Sequence, residues 1–152
     1  APDSLAGRIE RIQSQDPSFT EKGFLQGARS AFEIILKAFA DEDTNTLHQL
    51  LGDDVYDSFT AAIRARQAAK EKLSITVSKI KDAEIEDAKL ELNTARVVVR
   101  FVSEQIQFTR NASGSTISGD AVRAQTLTDI WTFARNTHGN DPVWRLTETR
   151  SE

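Results

Sequence analysis

The sequence predicts an α+β domain, with helices first and an antiparallel sheet after them. Three observations carry this. Apolar residues recur at helical spacing as far as about residue 71, and beyond residue 72 the period falls to two. The hydrophobic and charged fractions, 39% and 28% of 152 residues, are those of a chain that buries a core. One domain is the default at this length. Helices followed by a meander means helices packed on one face of a single sheet.

Residues 4–15 place Leu5, Ile9 and Ile12 at helical spacing with Arg8 and Arg11 beside them, a short amphipathic helix that Asp16-Pro17 ends. Residues 1–17 therefore read as an amphipathic helix or linker, and 18–152 as the domain proper. Ser18-Phe19-Thr20-Glu21 reads as a capping box. After it Phe24, Leu25, Ala28, Ala31, Phe32, Ile35, Leu36 and Phe39 give the strongest helical period in the chain, about 33–36 Å of helix with a surface pair of Glu33 and Lys37, ending near Asp41. Helices over 44–51 and 53–71 follow, separated by Gly52, with Asp53 and Asp54 suiting the positive end of the second. Strands are predicted over 73–77, 80–91, 95–110, 124–135 and 143–150, with a turn-rich loop at 111–120. In the strand 95–110, Val97, Val99 and Phe101 share a parity that Ile106 and Phe108 do not, so either a bulge shifts the phase or the two ends cover different faces.

The net charge of -4 argues against a general nucleic-acid binder. The charge is segregated, however. Residues 41–57 are acidic, and residues 64–81 carry Arg64, Arg66, Lys70, Lys72, Lys79 and Lys81 against the single acid Glu71. Solvated faces explain such runs by default, and a basic patch toward anionic lipid or an acidic partner is the sharper alternative. The absence of cysteine excludes a disulfide framework and thiolate chemistry. With no methionine and Ala1 first, the expectation is a processed or excised piece of a longer protein whose N-terminal part held a membrane anchor.

Few residues suggest chemistry. His48 and His138 are far apart with no ligand spacing, so neither a metal nor another cofactor is expected. Gly23, Gly27 and Ala31 put small residues along one side of the long helix, for close packing inside the domain or for a partner. A long helix across a curved sheet can enclose an apolar cavity, with walls from Phe32, Leu36, Phe39, Phe59, Phe101, Trp131 and Phe133. Asp129 shares a strand face with Trp131; an arginine partner or solvent at the sheet edge is the default for it, and desolvation with a raised pKa is the sharper alternative.

The stretches VYDSFTAAIRARQ (55–67), KDAEIEDAKLE (81–91), RVVVRFVSEQ (96–105), TDIWTFAR (128–135) and DPVWRLTETR (141–150) resemble the Tim-44-like family, named for a mitochondrial inner-membrane translocase subunit. The likeness is to the C-terminal domain, in its bacterial, alphaproteobacterial branch, and spans most of residues 20–150. It implies the cone of the nuclear-transport-factor-two-like superfamily, helices on a curved sheet around an apolar pocket. It also implies a non-enzymatic, membrane-peripheral adaptor at a bacterial inner membrane, in protein translocation or membrane-protein assembly. Its partners would be anionic phospholipid, cardiolipin included, and an unidentified membrane or translocating protein. The residues for membrane contact would be Leu5, Ile9 and Ile12 as apolar insertions, with Arg8 and Arg11 on lipid phosphate. Two alternatives stand beside it: a module binding a small molecule or lipid tail in the pocket, and a pocket enzyme of the superfamily's isomerase or dehydratase kind using Asp129 or Tyr56. Oligomeric state stays open.

Overall fold

The computed structural model describes residues 2–152. Four helices, α1 (Leu5–Gln15), α2 (Glu21–Asp41), α3 (Thr44–Leu50) and α4 (Asp53–Ala69), precede five strands, β1 (Lys72–Glu91), β2 (Thr94–Arg110), β3 (Thr116–Gly119), β4 (Gln125–Asn136) and β5 (Arg145–Ser151). The strands form one antiparallel sheet in the order β1-β2-β4-β5, with β3 on the far end of β2. The α+β class, with helices on one face of one sheet, is as the periodicities predict.

Capping follows the local sequence with one correction. The N-cap of α2 is Thr20, whose hydroxyl accepts from the Gly23 amide at 3.1 Å. Ser18 is not the cap; its hydroxyl donates to Asp16 at 2.6 Å and closes the turn after α1. Both are hydroxyls three residues before an amide, so the pattern alone admits either start.

The strand boundaries also differ, for a geometric reason. β1 is a single strand of 20 residues, not two. Its register against β2 shifts between Val77 and Lys79, between Ile80 and Asp82, and between Ile85 and Asp87. Ser78, Lys81 and Glu86 are the extra residues. Each bulge adds one residue to the alternation, so the inward set runs Val77, Ile80, Ala83, Ile85, Ala88. A strict period of two breaks there, and in the sequence such a break reads as a strand end. β2 has no bulge against β4: Ala95, Val97, Val99, Phe101, Ser103 and Gln105 are all buried on one face, and Ile106 and Phe108 lie on the other. β3 occupies part of the predicted loop. Gly119, at φ 77, packs against the Gln107 carbonyl where no Cβ would fit.

The core sits between α2 and the concave face of the sheet. Phe32 stacks on Phe101 with ring centroids 4.4 Å apart and meets Trp131 at 4.6 Å. Ile35, Ala38, Leu47, Val55, Ile63 and Leu146 complete it from α2, α3, α4 and β5. The other face carries cross-strand ion pairs, among them Arg100 with Glu152 and Arg96 with Glu91.

Candidate functional site: an apolar groove beside the long helix

The predicted cavity inside the cone is filled. Phe32, Phe101, Trp131 and Phe133 are buried against one another as solid core. Leu36 is half-buried against that core. Phe39 and Phe59 pair at 4.8 Å. Of the seven predicted lining residues, Phe133 alone borders the open cavity beside α2.

That cavity is a groove of about 390 Å³ between the α1–α2 connection, the first half of α2 and the β4–β5 loop. Phe19, Phe24 and Trp144 form an aromatic wall: Phe24 meets Trp144 edge-on at 4.9 Å, and Phe19 lies 5.5 Å from Phe24. The floor is the small-residue face of α2, Gly23, Gly27, Ala28 and Ala31. Of these, Gly27 faces open space, whereas Ala28 is buried in the core and Ala31 packs against it. A Cβ added to Gly27 would meet nothing within 4 Å. At the base, Arg135 and Asp16 form an ion pair at 3.0 Å, each side chain less than one-fifth exposed. Arg135 also donates to the Asp141 carbonyl. The groove is thus apolar, with its charges neutralised. Sequence reading passed over Phe19 and Trp144 because each stands alone beside a proline turn. The signal was the coincidence of Phe19 after Asp16-Pro17, Trp144 after Asp141-Pro142, and a run of small residues on the helix between them. Gly27→Ala is expected to stabilise the domain by about 0.5–1 kcal/mol, since a mid-helix glycine that no neighbour requires costs that much. Thermal unfolding measures it.

The predicted membrane-contact residues are placed otherwise than an exposed stripe. Ile9 is 5% exposed and Ile12 fully buried, and both belong to the core, with Leu5 half-buried against it. Arg8 pairs with Asp87 at 3.0 Å and donates to the Asp3 carbonyl. Arg11 alone points freely outward. An apolar stripe reads the same whether it meets lipid or a sheet; here it meets the sheet.

The basic patch is also divided. Arg66 turns inward, donating to the Phe39 carbonyl at 2.7 Å with its guanidinium 4.6 Å over the Phe39 ring. Burial lowers its pKa against the opposing pull of Glu42. Arg64, Lys70 and Lys72 stay exposed.

Asp129 does share a face with Trp131. It is half-buried, opposite Phe101 on β2, and bonded to the Ser151 side chain. Desolvation raises its pKa and the Ser151 hydrogen bond partly offsets the rise. Neither Asp129 nor Tyr56 lines the groove; Tyr56 sits edge-on to His48 at 5.3 Å. A raised carboxylate pKa means that the native state binds the proton more tightly than the unfolded chain. The ionised group therefore costs stability above its folded pKa, and that cost disappears as pH falls through the folded pKa toward the unfolded value. Asp129→Asn is expected to stabilise the domain at pH 7 and to lose that advantage in acid, as urea unfolding at several pH values would show. Among the described residues no group of three or more His, Asp or Glu is placed to hold a metal, and no helix is long and apolar enough to cross a membrane.

Comparison with known proteins agrees with this architecture. The family model described as the Tim44-like domain matches residues 5–151, from the first residue of α1 to the last of β5. The mitochondrial import inner membrane translocase subunit TIM44-1 of Arabidopsis thaliana is 23% identical over 149 residues. The match covers 94% of this chain and 31% of that subunit, so the chain spans about a third of its relative. Among solved structures, the intermembrane space region of the chloroplast protein ARC6 superposes with a TM-score of 0.61 at 14% identity, over 89% of this chain and 98% of that one. At that identity the likeness is one of fold, four helices on an open antiparallel sheet. With the family model matched along all nine elements, this chain belongs to the Tim44-like domain family.

Proposed function

We propose that this domain is a non-enzymatic, membrane-peripheral scaffold in protein translocation, meeting anionic phospholipid and a membrane or translocating protein. The observation that supports it is the extent of the family match, which leaves no described element outside the similarity. Membrane contact through α1 has a condition. Because Ile9 and Ile12 are buried, the helix must leave the sheet before its apolar stripe can enter a bilayer. Arg8 would give up Asp87 for lipid phosphate, and a basic side chain near an anionic surface gains only about 1 kcal/mol. The contact is then weak and conditional, an accessory to a stronger attachment.

Flotation with neutral vesicles and with cardiolipin-containing vesicles tests this. Asp87→Arg sets like charge against Arg8, loosens α1 and is expected to raise recovery on the cardiolipin vesicles alone. Equal recovery of wild type and variant on both vesicle types would count against the reading.

The groove favours a second reading, a module that holds an apolar tail. Its walls are aromatic, its floor is open and its ion pair is internally neutralised. Gly27→Trp would fill the space from an exposed helix face. Native mass spectrometry is expected to find a lipid-sized adduct on the wild type that the variant lacks; adducts on neither, or on both alike, would remove this reading.

A further inference from the structure

β1 is one edge of the sheet and pairs only with β2, while β5 forms the other edge and takes a single bridge from Leu51. Most of the β1 edge is guarded in the ways edge strands usually are. Bulges at Ser78, Lys81 and Glu86 bend it, and charged side chains line it from Lys79 to Glu91. The stretch 72–77 is different. It pairs in unbroken register with residues 110–105, and its only charge is Lys72. Leu73, Ile75 and Val77 lie half-buried on its inner face, and no side chain caps its outward backbone groups among the described hydrogen bonds.

The second half of α2 stands alongside. Residues 73–77, taken consecutively, and Glu33, Lys37, Ala40 and Asp41 line one cleft of about 430 Å³. Consecutive residues line a cleft only when the backbone edge itself forms the wall. The helical row Arg29, Glu33, Lys37, Asp41 advances about 6 Å per step, against about 6.6 Å for every two residues of strand. Helix row and strand edge therefore keep pace. At one end Arg29 donates to the Ile80 carbonyl at 3.4 Å, so there a side chain holds an edge carbonyl.

Charge completes the picture. The sequence reading pairs Glu33 with Lys37, but Lys37 instead pairs with Asp41 at 2.9 Å. Glu33 is exposed and has no ion pair among the described residues. A second copy of this chain fits poorly. It would bring its own α2 to the same face, and helices 10–12 Å across cannot both flank strands about 4.8 Å apart.

We propose that the cleft between α2 and residues 72–77 of β1 is a strand-addition site, which takes an extended segment of another polypeptide carrying a basic residue opposite Glu33. The added strand would complete the backbone hydrogen bonds of the edge, with alternate apolar side chains continuing the surface of Leu73, Ile75 and Val77. This goes beyond the scaffold reading and does not depend on membrane contact.

The test is an NMR titration with a blocked seven-residue peptide, threonine and valine alternating and lysine at the centre. Saturable shifts confined to the amides of 72–77 and 33–41 are expected. Glu33→Lys, on an exposed helix face, is expected to weaken binding about tenfold. The same peptide with alternate amides N-methylated should not bind. The proposal is overturned if shifts centre on Gly27 and Trp144, if the methylated peptide binds equally, if nothing saturates by millimolar peptide, or if concentration-dependent dimers exclude the peptide.

Discussion

Replacing Phe32 by alanine is expected to lower the unfolding free energy by about 3–5 kcal/mol, the range for deleting a buried aromatic ring. The ring is fully buried at the middle of α2, stacked on Phe101 and close to Trp131. Those neighbours come from β2 and β4, the two central strands, and each is held by pairing on both sides. They cannot collapse inward cheaply, so the variant keeps most of its cavity. Phe39→Ala should cost less, because that ring is half-buried near the end of the helix. Urea unfolding would show the midpoint of Phe32→Ala displaced with an unchanged slope. A loss under about 1 kcal/mol would mean that the core under α2 is looser than the packing implies.

The second large effect is expected at Ile12, and it should be local. Ile12→Ala removes a fully buried side chain, worth about 2–5 kcal/mol in a core that stays put. Yet α1 is terminal and rests on few contacts: Ile9, Ile12, part of Leu5, the Arg8–Asp87 pair, the Asp16–Arg135 pair and the Thr137–Gln15 hydrogen bond. The lost energy is comparable to what holds the helix, so residues 5–15 should detach while α2 and the sheet persist. Hydrogen exchange would show protection lost across α1 and kept in β2, and proteases would cut near Asp16-Pro17. Global unfolding in step with α1 would show instead that the helix is integral to the core. The same experiment bears on membrane contact, since a detached α1 presents Leu5 and Ile9 to a bilayer.

Local chemistry made much of this fold legible. Four helices were readable because their periods are clean and their ends carry Asp-Pro, Gly52 and acidic first turns. The meander was readable from Val, Ile and Thr alternation. What the sequence concealed was long-range. The bulges in β1 imitate a strand end, since one extra residue and a turn both break a period of two. β3 hides among turn formers because four exposed residues bury too little to leave a pattern. The polar end of the concave face, where Ser103, Gln105 and Gln107 hydrogen-bond in a chain, reads as a solvated strand until its burial is seen.

The candidate site shows the same division. Local pattern was enough for the class, the order of elements, the aromatic supply and the small-residue face of α2. It also placed Asp129 beside Trp131, but the default reading of that carboxylate is an arginine partner or solvent, and burial instead raises its pKa. The packing of the elements decided where open space remains. Phe32, Phe101 and Trp131 close on one another, while Phe19 and Trp144, 125 positions apart in the chain, meet at 5.9 Å to wall the groove. It decided equally that the stripe of α1 faces protein, and that Lys37 turns to Asp41 and leaves Glu33 free. Periodicity fixes which side of an element is apolar, but not what that side meets. That depends on which surfaces arrive opposite it, and those are set by strand register and the angle of α2 across the sheet, neither of which any local segment encodes.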